Sequence, residues 1–198
     1  MHSIRGPQPG GSSDEMPKLF ANTEEISVDF IKKILSGIDR ISTWSAKAVS
    51  LATFVMVLII AYDVMLRYAF RAPTIWQYDI SYMLGGSIII LGAGYVHFQR
   101  RHVRVDIIYN RLPQRLRLTI DVVLTLIFFF PLITGLIVAA TEHAIHAYKV
   151  KEFSEVGFWR PLMWPFRSVI PIGLSILWLQ GLANFIRDTY MLVKGKEL

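Results

Sequence analysis

The chain contains no cysteine, which removes disulfide cross-links, thiolate metal sites and cysteine nucleophiles together. It is also short of charge: 18% of its 198 residues are Asp, Glu, Lys or Arg, against 53% hydrophobic residues and a mean hydropathy of +0.42. Soluble domains carry roughly 25% charge, so a water-soluble globule fits poorly and a polytopic membrane protein is the class that remains. A phosphate-binding glycine loop, a nucleophile elbow and a pair of carboxylates in the middle of an apolar run are absent too. The net charge of +6 would point to nucleic acid if it lay on one soluble face. Here the cations collect at the ends of apolar runs, and no nucleic-acid partner is expected. Residues 1–25 hold Gly, Pro, Ser and acids around no apolar core. They do not read as a secretory signal, and their composition predicts a disordered tail.

What is present begins with an amphipathic stretch, residues 26–43. Ile26, Phe30, Ile34, Ile38 and Ile41, joined by Ile31 and Leu35, fall at helical spacing, with Asp29, Lys32, Lys33, Ser36 and Arg40 on the other side. Such a helix can lie in the membrane interface with its lysines toward anionic headgroups. Residues 44–193 then carry four apolar runs, about 48–68, 76–98, 118–140 and 166–186, each near the twenty residues that a hydrocarbon core of roughly 30 Å requires. The predicted fold is all-α, with four transmembrane helices behind one interfacial helix.

Charges inside those runs are costly and therefore informative. Asp63 and Arg67 sit four apart near the far end of the first span, where pairing and reaching outward is the cheapest arrangement. A proton or sodium relay would suit the midplane, which this position is not. Asp79 falls in the first turn of the second span, where the helix dipole favours an acid. Ser81, Gly85, Gly86, Gly92, Ala93 and Gly94 offer little volume and so allow another helix to approach closely. A dense cationic loop follows, with six arginines between Arg100 and Arg117. Val105, Ile108 and Leu112 form a short stripe in it, and Pro113 is placed to open the next helix. Pro131 predicts a kink in the third span. Pro171 is expected in an early turn of the fourth, and Asn184, Arg187 and Asp188 return the chain to water.

With four spans, both termini and the middle loop share one side. From residue 32 onward that side holds 13 lysines and arginines and the opposite side 6, so the positive-inside rule places both termini in the cytoplasm. This threading disfavours a membrane cytochrome, because His97 ends the second span inside while His143 and His146 end the third outside, about a bilayer thickness away. Glu142 with those two histidines offers metal-ligating side chains, but a wet helix terminus accounts for them. No cofactor is expected.

Taken in order, several stretches resemble one family. DVMLRY closes the first span, IWQYD opens the second, LGAGYVHFQRRHVRVDIIYNRLP runs from a small-residue helix into a His-x-x-Val-Asp loop, and MWPFRSVIPIGLSILWLQGLANFI forms the last span. From about Lys47 to Leu192 this is similar to the small four-helix (Q or DctQ-type) subunit of tripartite ATP-independent periplasmic (TRAP) transporters. Asp79 stands where that family more often has glutamate. The resemblance implies a non-enzymatic subunit in the bacterial inner membrane. It would brace a large multi-span (M-type) permease subunit that works with a periplasmic solute-binding protein (P-type). Uptake of an organic acid, commonly a carboxylate, would be driven by a sodium gradient.

The candidate structural or partner-contacting residues are Asp63 with Arg67 and Trp76 with Asp79 at the outer edge. Gly85 and Gly92 are candidates on the second span, and His102, Arg104 and Asp106 at the inner loop. The competing hypothesis is a self-sufficient homo-oligomeric small transporter or channel, which would need polar groups lining a central path.

Overall fold

The computed structural model describes residues 15–99 and 113–195. His102, Arg104, Asp106 and the Val105–Leu112 stripe lie outside the described residues. So do residues 1–14 of the stretch read as a tail. We label the helices α1 (Glu15–Phe70), α2 (Gln77–Phe98), α3 (Gln114–Leu124), α4 (Phe130–Lys149) and α5 (Trp164–Lys194). A π-helical turn, Thr125–Phe129, joins α3 to α4, so that these three pieces make one crossing. Four helical segments are long and apolar enough to cross a membrane: Val28–Phe70, Gln77–Phe98, Arg115–Lys149 and Trp164–Lys194.

The helix α1 begins at Glu15, eleven residues earlier than composition predicts. Glu, Met, Lys, Leu and Ala are strong helix formers, and Pro17 falls in the first turn, where no helical donor is lost. The amphipathic stretch then runs into the first span with no break at residue 44. At 1.5 Å per residue, Val28–Phe70 is about 64 Å long, roughly twice the hydrocarbon core. Part of this helix must therefore tilt or extend beyond the core.

Proline explains the π-helical turn. Pro131 has no amide to give to the carbonyl four residues back, and just ahead of it the Phe130 amide bonds instead to the carbonyl of Thr125, five residues back. The helix bulges and continues, which is the form that the expected kink takes. Pro171 lies two turns inside α5, not in its opening turn, because α5 starts at Trp164.

The centre of the molecule is α5, the helix with the most buried residues. Its long neighbours are α2 and α4, while α1 packs mainly on α2 and only lightly on α5. Close approach relies on glycine at the crossings. A Cβ on Gly173 would come within 2.4 Å of Ile90 Cγ2 and 3.0 Å of the Ile90 carbonyl carbon and oxygen. At Gly86 it would meet the Phe166 ring at 2.8 Å, and at Gly94 the Ile176 side chain at 2.8 Å. On the other flank, Phe129 of the π-helical turn fills the space over Gly181, and its ring stacks on His97 at 5.2 Å. Small residues of α2 do admit a neighbouring helix, but through Gly86, which receives the Phe166 ring, and Gly94, which receives the Ile176 side chain with the backbone behind it. Gly85 and Gly92 face elsewhere: a Cβ at Gly85 meets nothing within 4 Å, and one at Gly92 only Val49 at 3.9 Å.

Candidate functional site

At the C-terminal end of α1, two turns of the helix fix the loop that leads to α2. Asp63 is 3% exposed although its neighbours Tyr62, Val64 and Met65 face outward. Its Oδ2 accepts from Arg67 Nη2 at 2.7 Å, and its Oδ1 accepts from the Thr74 amide at 2.9 Å and Thr74 Oγ1 at 2.5 Å. The i, i+4 spacing brings the arginine, and the loop brings the threonine. Charge-assisted bonds of this kind replace the water that the carboxylate gives up. Trp76, the residue immediately before α2, stacks on Tyr62 at 6.4 Å and ties the same loop a second time.

Asp79 holds the loop between α4 and α5, at the same end of the bundle. It is fully buried in the first turn of α2, and its Oδ1 accepts from Ser154 Oγ at 2.6 Å. That loop, residues 150–163, doubles back on itself: the Ser154 amide donates to Pro161 and the Met163 amide to Glu152, both at 2.8 Å, and Arg167 pairs with Glu152. Gly157 lies so close to the carboxylate that a Cβ would sit 2.1 Å from Asp79 Oδ2, an oxygen with no hydrogen-bond partner. Asp79 and Trp76 therefore anchor different loops. Between these loops lies a cleft of about 530 Å3, walled by Arg67, Ile75, Tyr78 and Phe158 among others. Phe158 is 93% exposed at its lip.

A second polar cluster, near the opposite end, joins α1 to α5. Asp39 accepts from Arg187 Nη2 at 2.5 Å and from Gln180 Nε2 at 3.1 Å, and Gln180 Oε1 accepts from Ser42 Oγ at 2.7 Å. Ser42 and Gln180 are fully buried, and Asn184 and Asp188 nearly so, with Asn184 Nδ2 donating to the His97 carbonyl at 3.1 Å. These residues do not simply return the chain to water, as their place near the end of an apolar run implied. Gln180, Asn184 and Asp188 recur every four residues on one face of an apolar helix, and that spacing could have marked them as inward-facing. The docking face of the amphipathic stretch is likewise Leu35, Asp39 and Ser42, leaving Phe30, Ile34 and Ile41 exposed.

Each of these acids is engaged by a hydroxyl, an amide or a guanidinium of the same chain, an arrangement that pins loops and helices. Among the described residues no group of three or more His or acidic side chains is placed to hold a metal. Four crossing-length helices, with the loops 71–76 and 150–163 tied to the bundle, define a small multi-pass membrane protein.

Comparison with protein families makes this specific. The model of the DctQ component of tripartite ATP-independent periplasmic transporters matches residues 56–190, about two thirds of the chain, and the protein belongs to that family. It is a TRAP transporter small permease subunit, a component of a transporter with further subunits and not a member of an enzyme family. No curated protein matches the sequence.

Proposed function

We propose that this subunit is a fixed brace. In this reading it holds the large M-type membrane subunit in the bacterial inner membrane during sodium-gradient-driven, binding-protein-dependent uptake of an organic acid, with both termini cytoplasmic. The observation that supports the reading is the use made of two buried acids and one half-buried one. Asp39, Asp63 and Asp79 each spend hydrogen-bonding capacity on fastening one part of the chain to another. Transport sites are commonly built from broken helices whose free ends meet substrate or ion near the midplane. A frame needs stiffness and a wide apolar surface, and α1, the π-helical turn and α4 leave Leu51, Phe54, Leu58, Leu126, Phe128 and Leu132 exposed.

On this reading the open face of α2 around Gly85 and Gly92 receives a helix of the large subunit. The solute-binding protein meets the outer loops, and the exposed side of residues 26–43 rests on lipid. Proteoliposomes carrying the large subunit, with the binding protein and a carboxylate substrate supplied outside, test the proposal. Uptake under an inward sodium gradient is expected only when this chain is co-reconstituted. Full uptake without it, or uptake by this chain alone, would defeat the reading; the latter would favour the homo-oligomeric transporter.

A further inference from the structure

We propose that the cleft between the start of α3 and the end of α5 binds a phosphate-bearing anion, supplied by the headgroup of an anionic phospholipid. The cleft encloses about 340 Å3 and is mostly polar, lined by Arg115, Leu118, Met191, Lys194 and Gly195 among others. That volume is at the lower end of the roughly 300–1,000 Å3 that small-molecule sites occupy, which suits a headgroup better than a whole lipid. None of the described residues that line it is acidic. Arg115 is exposed, and among the described residues no acid pairs with it. The Lys194 ammonium lies 5.9 Å from the centre of the Tyr190 ring, which biases its position on the last turn of α5. The first turn of α3 adds no acid, and Pro113 ahead of it supplies no side-chain cap to the free amides.

Shape and depth favour a lipid over a soluble anion. Leu118 is buried beneath Arg115 by one helical turn, and Met191 lies a turn before Lys194, so an apolar floor meets a cationic mouth. Both lie where an apolar span meets its polar flank, at the level where a phosphodiester hangs above its acyl chains. Basic pockets between membrane helices hold anionic headgroups through this combination of point charges and an adjoining apolar wall. Arg115 offers a planar fork for two phosphate oxygens and Lys194 a movable point charge. The inference uses the membrane-spanning fold and not the transporter reading.

The test is native mass spectrometry of the full chain released from nanodiscs of phosphatidylethanolamine with a minor share of phosphatidylglycerol. The unaltered chain is expected to retain phosphatidylglycerol selectively. Arg115→Gln with Lys194→Gln is expected to reduce that retention about tenfold, each cation contributing several-fold. Arg115→Lys alone should keep most of it, and Lys149→Gln at the other membrane edge all of it. Circular dichroism melts in the same nanodiscs confirm that each variant is folded before its lipid count is used. Equal retention by the double variant overturns the site. Displacement of the lipid by millimolar inorganic phosphate would overturn the lipid source and assign the cleft to a soluble phosphate, whereas retention in its presence supports the headgroup.

Discussion

The crossing of α2 and α5 at Gly173 yields the sharpest test of the packing. In a Gly173→Ala variant the added methyl would begin 2.4 Å from Ile90 Cγ2 and 3.0 Å from the Ile90 carbonyl carbon and oxygen, well inside ordinary contact at about 3.5–4 Å. The isoleucine methyl can rotate away, but the backbone carbonyl cannot, so the helices must part by roughly half an ångström or more. Overpacking of this kind costs about 1–3 kcal/mol, equivalent to a factor of roughly 5 to 150 in the unfolding equilibrium. Gly85→Ala is the matched control, since its methyl meets nothing within 4 Å and alanine is the better helix former. Unfolding of the purified subunit in mixed micelles, titrated with denaturing detergent, should show Gly173→Ala clearly destabilised and Gly85→Ala at or slightly above the unaltered protein. If both variants unfold alike, the backbone contact at Ile90 is not what holds α2 on α5.

Further outcomes follow from the same geometry. Gly85→Leu should leave the isolated subunit as stable as before while lowering recovery of the large subunit with it; undiminished co-purification and uptake would remove that face as an interface. Thr74→Val deletes the hydroxyl bonded to Asp63 but keeps the amide, so we expect a weaker clamp and faster proteolytic nicking within residues 71–76, with unchanged nicking counting against the clamp. Gly157→Ala drives a methyl into the Asp79 carboxylate and should loosen residues 150–163, seen as faster amide exchange at Ser154 and Met163. In Gln180→Leu the bonds to Asp39 and Ser42 are lost together. Amide exchange should then rise across residues 35–45 and stay low in α4; uniform exchange would show that the Asp39–Gln180 cluster is not a local fastening.

Much of the architecture was legible because the bilayer imposes it. Hydrocarbon cannot satisfy backbone amides, so any apolar run of about twenty residues must be helical, and the four runs could be counted without knowledge of their contacts. The Asp63–Arg67 pair was legible for a related reason: both partners lie on one helix, and spacing alone brings them together. Thr74 was not, since nothing in its neighbourhood states which carboxylate the loop will fold over. Ser154 and Asp79 are 75 positions apart, and Asp39 and Arg187 are 148 apart. The small residues of α2 were visible as a set, but 100° of rotation separates Gly85 from Gly86, and composition does not say which of the two meets α5.

The sequence by itself determined the helical class, the number of crossings and the family, because these depend on the hydropathy, length and order of local segments. The tertiary structure decided which glycines touch, which acids are satisfied and which loops are held. Those outcomes depend on the rotation and depth of each helix against its neighbours, and they become definite only when ridges meet grooves across the whole bundle.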